Sequence, residues 1–266
     1  MHLAYDRAGT GPALVLLHGL GHRRQGWAAV RDRLTPYRDV ISVDLPGHGQ
    51  SPPLRADGQP PVEAIAEQVA ALLSGLGVSR PHLAGNSLGG TIALTLAAQG
   101  RAASVTALSP AGFPGHGYER YYDRALFSLI RMAAHGIRPL VPMLSGSTAG
   151  RALLYTVMVA RPSQITPEQA RGDVAAFAAA GAVMRAVFAG PWRFTGTVPD
   201  DLPVTIGWGS SDRVLPPGNA RVAQRHLPEA RLVTLPGCGH VPMTDDPGLV
   251  ARVLLAGSDT GTAQGS

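Results

Sequence analysis

The sequence predicts an α/β fold: a mostly parallel central sheet with helices on both faces and an inserted all-helical segment. Three observations predict it. Short, almost wholly apolar runs alternate with segments of helical periodicity, the pattern of strands covered on both faces by crossover helices. The alternation breaks once, between about residues 112 and 197, where helical patterns follow one another without a strand. With 45% hydrophobic residues in a chain of 266, there is material for one large core with an inserted subdomain.

The apolar runs are ALVLL (13–17), VISVD (40–44), PHLAG (81–85), SVTALS (104–109), VTIGW (204–208) and ARLVTL (230–235). Each is bounded by Gly, Pro or polar residues, as buried strands are. Helices are expected over 25–34, 62–76, 88–99, 218–227 and 247–256. In the second of these, Val62, Ile65, Ala66, Val69, Leu72, Leu73 and Leu76 recur at steps of three and four and form one apolar face. The insertion carries helical patterns at 121–134, 149–160 and 167–181. Thr166, Pro167 and Gln169 make a helix start, with a threonine cap, proline at the first helical position and glutamine three residues after the cap. The expected organisation is a core of residues 1–112 and 197–256, a helical cap at 113–196 over the carboxyl edge of the sheet, and a disordered tail at 257–266.

Composition narrows the partners. All 23 basic residues are arginine and the net charge is +5, but the arginines are scattered rather than clustered with aromatics. Nucleic acid is therefore not an expected partner. No apolar stretch reaches the roughly 18 residues of a membrane span, and the start lacks the pattern of a signal peptide, so no membrane partner is expected. A single cysteine, Cys238, fits a reducing cytoplasm. Nothing in the chain indicates an oligomeric state.

The chemistry centres on HLAGNSLGGTI (82–92), where Ser87 stands between a strand and a helix. The G-x-S-x-G pattern is weak alone: a chain with 33 glycines produces about 0.2 such matches by shuffling. Position strengthens it. A serine on a strand-to-helix turn is held in a strained conformation with its hydroxyl projecting, and glycine is required at 85 and 89, where strand and helix meet. His240, in LPGCGHVP just past the last strand, is the candidate base. Asp212, in GWGSSDRVLPP just past strand 204–208, is the candidate acid. Both fall on the same sheet edge as Ser87, in the order Ser, Asp, His. Leu88 would supply one oxyanion amide, and Leu20, after His18-Gly19 in the turn following the first strand, the other.

Taken together, HGLG (18–21), DLPGHGQS (44–51), GNSLGG (85–90), WGSSDRVLP (208–216) and GCGHVP (237–242) resemble the α/β-hydrolase family, in its serine-nucleophile, esterase-like branch with a helical lid. The resemblance covers the core on both sides of the insertion and implies that Ser87 attacks, His240 carries the proton, Asp212 orients the imidazole, and the Leu20 and Leu88 amides bind the oxyanion. Dehalogenases and epoxide hydrolases of this fold carry aspartate at the nucleophile position; serine implies an acyl-enzyme. Some relatives place the acid after the strand preceding the lid, but here that place reads SPAG (109–112).

The expected function is hydrolysis of a small-to-medium, largely apolar carboxylic ester, with no cofactor and no metal. Two other readings share these residues: the same triad acting on a thioester, a lactone or a carbon–carbon bond, or as a lyase or acyltransferase; and a small-molecule receptor of the same fold. Candidate pocket residues are Gly19, Met143, Met158, Met184, Trp192 and Met243. Asp44 and His48 read as turn-shaping residues, His18 as a brace for the oxyanion loop, Arg23 and Arg24 as solvated surface, and Asp245 and Asp246 as the opening of the last helix.

Overall fold

The computed structural model describes residues 2–116, 119–190 and 193–259. The strands are β1 (Tyr5–Ala8), β2 (Ala13–Leu17), β3 (Asp39–Val43), β4 (His82–Asn86), β5 (Ser104–Leu108), β6 (Val204–Gly209) and β7 (Arg231–Leu235). They form one 7-stranded sheet in the order β1-β3-β2-β4-β5-β6-β7. All neighbours are parallel except β1 with β3, which pair antiparallel with Tyr5 opposite Val43. The six apolar runs all became strands. β1 was not anticipated, because YDRA is an exposed edge with no apolar run.

Strand β2 shows why the runs are continuous. Leu14 and Leu16 point into one core with Trp27, Val30, Leu34, Val250 and Leu254, whereas Val15 and Leu17 point into the other with Ile65, Val69, Ile92 and Leu96. Side chains alternate along a strand, so a strand buried on both faces needs apolar residues at every position. The first core is closed by α1 (Ala28–Leu34) and α11 (Pro247–Gly257), the second by α2 (Pro61–Gly75), α3 (Leu88–Ala98) and α9 (Asn219–His226). A short helix, α10 (Pro242–Asp245), precedes α11.

Between β5 and β6 lie α4 (Glu119–Gly136), α5 (Val141–Gly146), α6 (Thr148–Tyr155), α7 (Pro167–Ala179) and α8 (Gly181–Ala189), and no strand occurs there among the described residues. Thr166 caps α7 as expected, its side chain accepting from Gln169 N at 3.1 Å. The pattern read as one helix over 167–181 breaks at Ala180, and the one over 149–160 ends at Tyr155. The chain beyond is not all tail: α11 runs to Gly257, and Arg38 donates to both Oγ and O of Ser258. Residues 260–266 lie outside the described set. Among the described residues no single helix is long and apolar enough to cross a membrane.

Trp27 is the largest fully buried side chain and fills the core between β2, α1 and α11. Trp27→Ala should lower stability by about 3–5 kcal/mol through the cavity it leaves, read as a fall in the urea midpoint without a change in slope.

Candidate active site

Ser87 stands alone between the end of β4 and the start of α3, with φ +54° and ψ −119°. Such a backbone is costly for a residue with a Cβ, and the surroundings fix it: Ser87 N donates to Leu108 O at 2.9 Å, while Ser87 O accepts from Thr91 N at 3.1 Å. A Cβ on Gly85 would strike Gly89 O, and one on Gly89 would strike Leu17 O. The glycines flanking the serine are therefore required by the meeting of β4, α3 and the end of β2.

Asp212, directly beyond β6, is buried. Its Oδ1 accepts from Val214 N and Leu215 N, both at 2.9 Å, which turns Oδ2 towards His240 Nδ1 at 2.9 Å. A carboxylate only accepts, so Nδ1 carries the proton and Nε2 presents a lone pair. His240 is held from behind as well: Asn86 Nδ2, one residue before Ser87, donates to His240 O at 2.9 Å and to Leu108 O at 3.1 Å. The Ser87 turn and the His240 loop are thus tied through one amide.

The loop after β2 passes close to Ser87, where a Cβ on Gly19 would lie 3.3 Å from the serine Cβ. Among the described residues neither Leu20 N–H nor Leu88 N–H donates a hydrogen bond. The loop is braced by two imidazoles. His18 donates from Nδ1 to Gly19 O at 2.8 Å and accepts Leu45 N at Nε2 at 3.0 Å; His48 accepts Gly21 N at Nε2 at 3.0 Å and donates to Pro46 O. Burial holds the His18 pKa well below its ordinary value, with the neighbouring His48 acting in the same direction. Burial lowers His48 to about 4, against the pull of Pro46 O and Asp44. Asp44, fully buried, accepts from Arg24 N at 2.7 Å and Gln50 N at 2.9 Å and pairs with the Arg24 guanidinium.

Ser87, His240 and Leu20 open onto one cavity of about 410 Å³, within the range of small-molecule sites. It lies under the inserted helices, with Gly19, Met158, Leu153, Phe127 and Phe177 in its wall. Among the described residues its acidic group is Asp173 on α7, which accepts from Tyr155 OH at 2.8 Å and Arg23 Nε at 3.2 Å and faces His22 Nε2 at 3.6 Å. Burial works against ionisation there, yet His22, Tyr155 and Arg23 together hold the Asp173 carboxyl below the usual carboxylate range.

A family model described as the alpha/beta hydrolase family matches residues 14–253. The chain belongs to the alpha/beta hydrolase family. It is 33% identical to an uncharacterized protein of Mycobacterium tuberculosis over 97% of this chain and 78% of that one. It is 28% identical to the pimeloyl-[acyl-carrier protein] methyl ester esterase of Nitrosomonas europaea, over 91% and 94% of the two chains. Among solved structures, an esterase from Thermogutta terrifontis superposes with a TM-score of 0.72 at 22% identity, covering 96% and 92%.

In this alpha/beta hydrolase, several sequence expectations for the pocket need correction. Gly19 and Met158 line the cavity, but Met143 does not; it is 66% exposed on α5. Met184 and Met243 are buried in the two cores instead, Met184 beneath the loop at Gly21. Trp192 lies outside the described residues. Arg23 and Arg24 are not simply solvated: Arg23 pairs with Asp173, and Arg24 with Asp6 and Asp44. Asp246 does open α11, accepting from Leu249 N at 2.8 Å. Asp245 instead turns inward and accepts from Gly239 N at 2.7 Å, Arg161 N at 2.6 Å and Ala160 N at 3.2 Å. Cys238, buried, has its thiol pushed up to about 11 by burial, so it is protonated at neutral pH.

The buried histidines set an acid limit for this hydrolase. A histidine kept neutral in the folded state has a folded pKa below its unfolded one, so the unfolded chain binds the proton first. Its contribution is constant above pH ~6.5 and turns unfavourable as pH falls from there to the folded pKa, by about 1.4 kcal/mol per pH unit for each histidine. The melting temperature should therefore fall steadily from pH 6.5 towards pH 4. His48→Gln should flatten the slope in stability by up to about 1.4 kcal/mol per pH unit while lowering stability at pH 8, with His18 and His82, which burial also holds below the ordinary value, keeping the rest. An unaltered slope in the variant would show that His48 is not kept neutral.

Proposed function

We propose that this chain is a serine hydrolase that cleaves a small-to-medium, largely apolar carboxylic ester through an acyl-enzyme, with Ser87 as nucleophile, His240 as general base and acid, and Asp212 as its orienting carboxylate. The observation that carries the reading is the 2.9 Å bond from His240 Nδ1 to Asp212 Oδ2 beside a serine held at φ +54°. That bond leaves Nε2 free to accept, and Ser87 and His240 share one cavity. The esterase named among the relatives, of nearly the same length, points the same way.

In the first half-reaction Ser87 Oγ adds to the ester carbonyl carbon and its proton passes to His240 Nε2. The oxygen that gains charge lies against the Leu20 and Leu88 amides, which have no other acceptor among the described residues. Collapse breaks the bond to the leaving alcohol, which takes the proton from Nε2. Water then repeats the sequence on the acyl-serine and releases the acid. Asp212 stays ionised throughout, fixing the tautomer and stabilising the imidazolium. The helices of 113–196 act as a cap that supplies most of the apolar wall of a cavity of small-molecule size. Because Ser87, His240, Asp212 and water supply every step, the proposed reaction calls for no cofactor and its partner is a small molecule.

Ser87→Ala should lower kcat on p-nitrophenyl acetate by about 10⁴-fold or more, and Asp212→Ala by less, because the imidazole keeps some basicity without its partner. A fluorophosphonate probe should label Ser87 in the unaltered protein and not in Ser87→Ala. Turnover that survives the serine change would refute the assignment.

A further inference from the structure

Two spaces of very different size meet at Ser87. The larger, about 410 Å³, contains His240. The smaller, about 20 Å³, is walled by Ala111, Val187, Phe188, Val214 and Leu215, and His240 is not among its lining residues. Both touch Leu20 and Ser87, and Phe127 stands between them as a shared wall. Phe127 is fixed there: it stacks on Phe177 of the larger space at 5.9 Å between ring centroids and packs against Phe188 of the smaller at 5.7 Å. In the measure where one water needs about 10–15 Å³, the smaller space has room for a methyl-sized group and little more.

On the serine-hydrolase reading, the chemistry decides which half of an ester enters which space. His240 Nε2 must deliver the proton to the leaving oxygen, so the alcohol half lies on the side of His240, in the larger space. The oxyanion is directed at the Leu20 and Leu88 amides. The acyl substituent is left with the remaining direction, into the space bounded by Leu88, Ala111 and Val187. A bulky acid esterified with a small alcohol would need the reverse arrangement, with its leaving oxygen on the side away from His240, beside a wall whose described side chains, apart from Ser87 itself, are all apolar. We infer that the site takes esters of a short acid, acetyl in size, with a bulky apolar alcohol. Attack joins Ser87 Oγ to the acetyl carbon and breaks its bond to the alkoxy oxygen; the serine proton leaves on the alcohol. Water entering the emptied larger space beside His240 then attacks the acetyl carbon and breaks its bond to Ser87 Oγ. One water proton passes through Nε2 back to Ser87 Oγ, and the other leaves with the acetic acid, which ionises to acetate in solvent.

The isomers hexyl acetate and ethyl hexanoate test this division, since they have the same atoms and differ only in where the long chain sits. The purified full chain should show a kcat/KM for hexyl acetate at least about tenfold above that for ethyl hexanoate, rising along ethyl, butyl and hexyl acetate. Val187→Ala, on α8 in the wall of the smaller space, should narrow the ratio by admitting longer acids. A fluorophosphonate probe is run on the same preparation. Ser87 labelled with ethyl hexanoate preferred or equal would overturn the division while leaving the serine reading intact. Ser87 unlabelled and neither ester cleaved would overturn both. If Val187→Ala does not fold, the isomer ratio in the unaltered protein still decides.

Discussion

The strained backbone at Ser87 is the constraint around which the rest of the structure is arranged. A non-glycine residue at φ +54° carries a cost of order 1–3 kcal/mol, and it persists because three strands converge on it. β5 takes the Ser87 amide through Leu108 O, Ala111 N, three residues past β5, donates to Ser87 O at 3.3 Å, and Thr91 on α3 bonds both Ser87 O and Ala111 O. The end of β2 presses so close that Gly89 admits no side chain. This packing puts the hydroxyl at the carboxyl edge of the sheet, the edge to which β6 delivers Asp212 and β7 delivers His240. Asn86 closes the arrangement by fastening the histidine loop to the strand that carries the serine.

What could be read in advance follows from how local each signal is. β2 to β6 were legible because burial on both faces favours apolar residues along most of their length, and the edge strand β7 because Leu232, Val233 and Leu235 still form a short apolar run. The placement of Ser87, Asp212 and His240 on one sheet edge was legible because each follows a strand end within a few residues. β1 was not legible: an exposed edge strand needs only backbone pairing, and YDRA carries no pattern. Met184 and Met243 depart from expectation for a related reason, whereas Met158 does line the cavity. Apolar character says that Met184 and Met243 are buried, but the direction of burial, into a core rather than a cavity, depends on helix placement that no single side chain encodes. Asp245 looked like a helix opener because it neighbours Asp246 and Pro247; only one of the two adjacent carboxylates can cap α11, and the other is turned into the fold.

Among the polar contacts that join the inserted helices to the core loops in the described residues, two groups centre on a buried carboxylate and lie beside the proposed catalytic groups. On one side Asp173 of α7 bonds Arg23 and faces His22, residues that continue directly from the loop holding Leu20. On the other, Asp245 gathers Gly239 N from the histidine loop together with Ala160 and Arg161 N from the insertion, and Val241 N donates to Met158 O at 3.1 Å. A charged carboxylate accepting several backbone amides is a strong, geometrically exacting contact, more so where burial excludes water.

On the proposed reading, these two carboxylates couple the position of the cavity wall to the loops that carry the proposed catalytic groups. A shift of α7 large enough to reshape the cavity wall at Phe177 would pull on Asp173, and through Arg23 and His22 on the loop that presents the Leu20 amide. A shift of the 156–161 stretch, which carries Met158, would act on the His240 loop through Asp245. The insertion is therefore not free to diverge as an independent lid: changes in its pocket-facing side chains can leave both anchors in place, but changes in helix position cannot. Variation in substrate within this scaffold should then accumulate at wall positions such as Leu153, Met158 and Phe177, whose side chains meet the cavity, while Asp173 and Asp245 stay fixed by the contacts they hold.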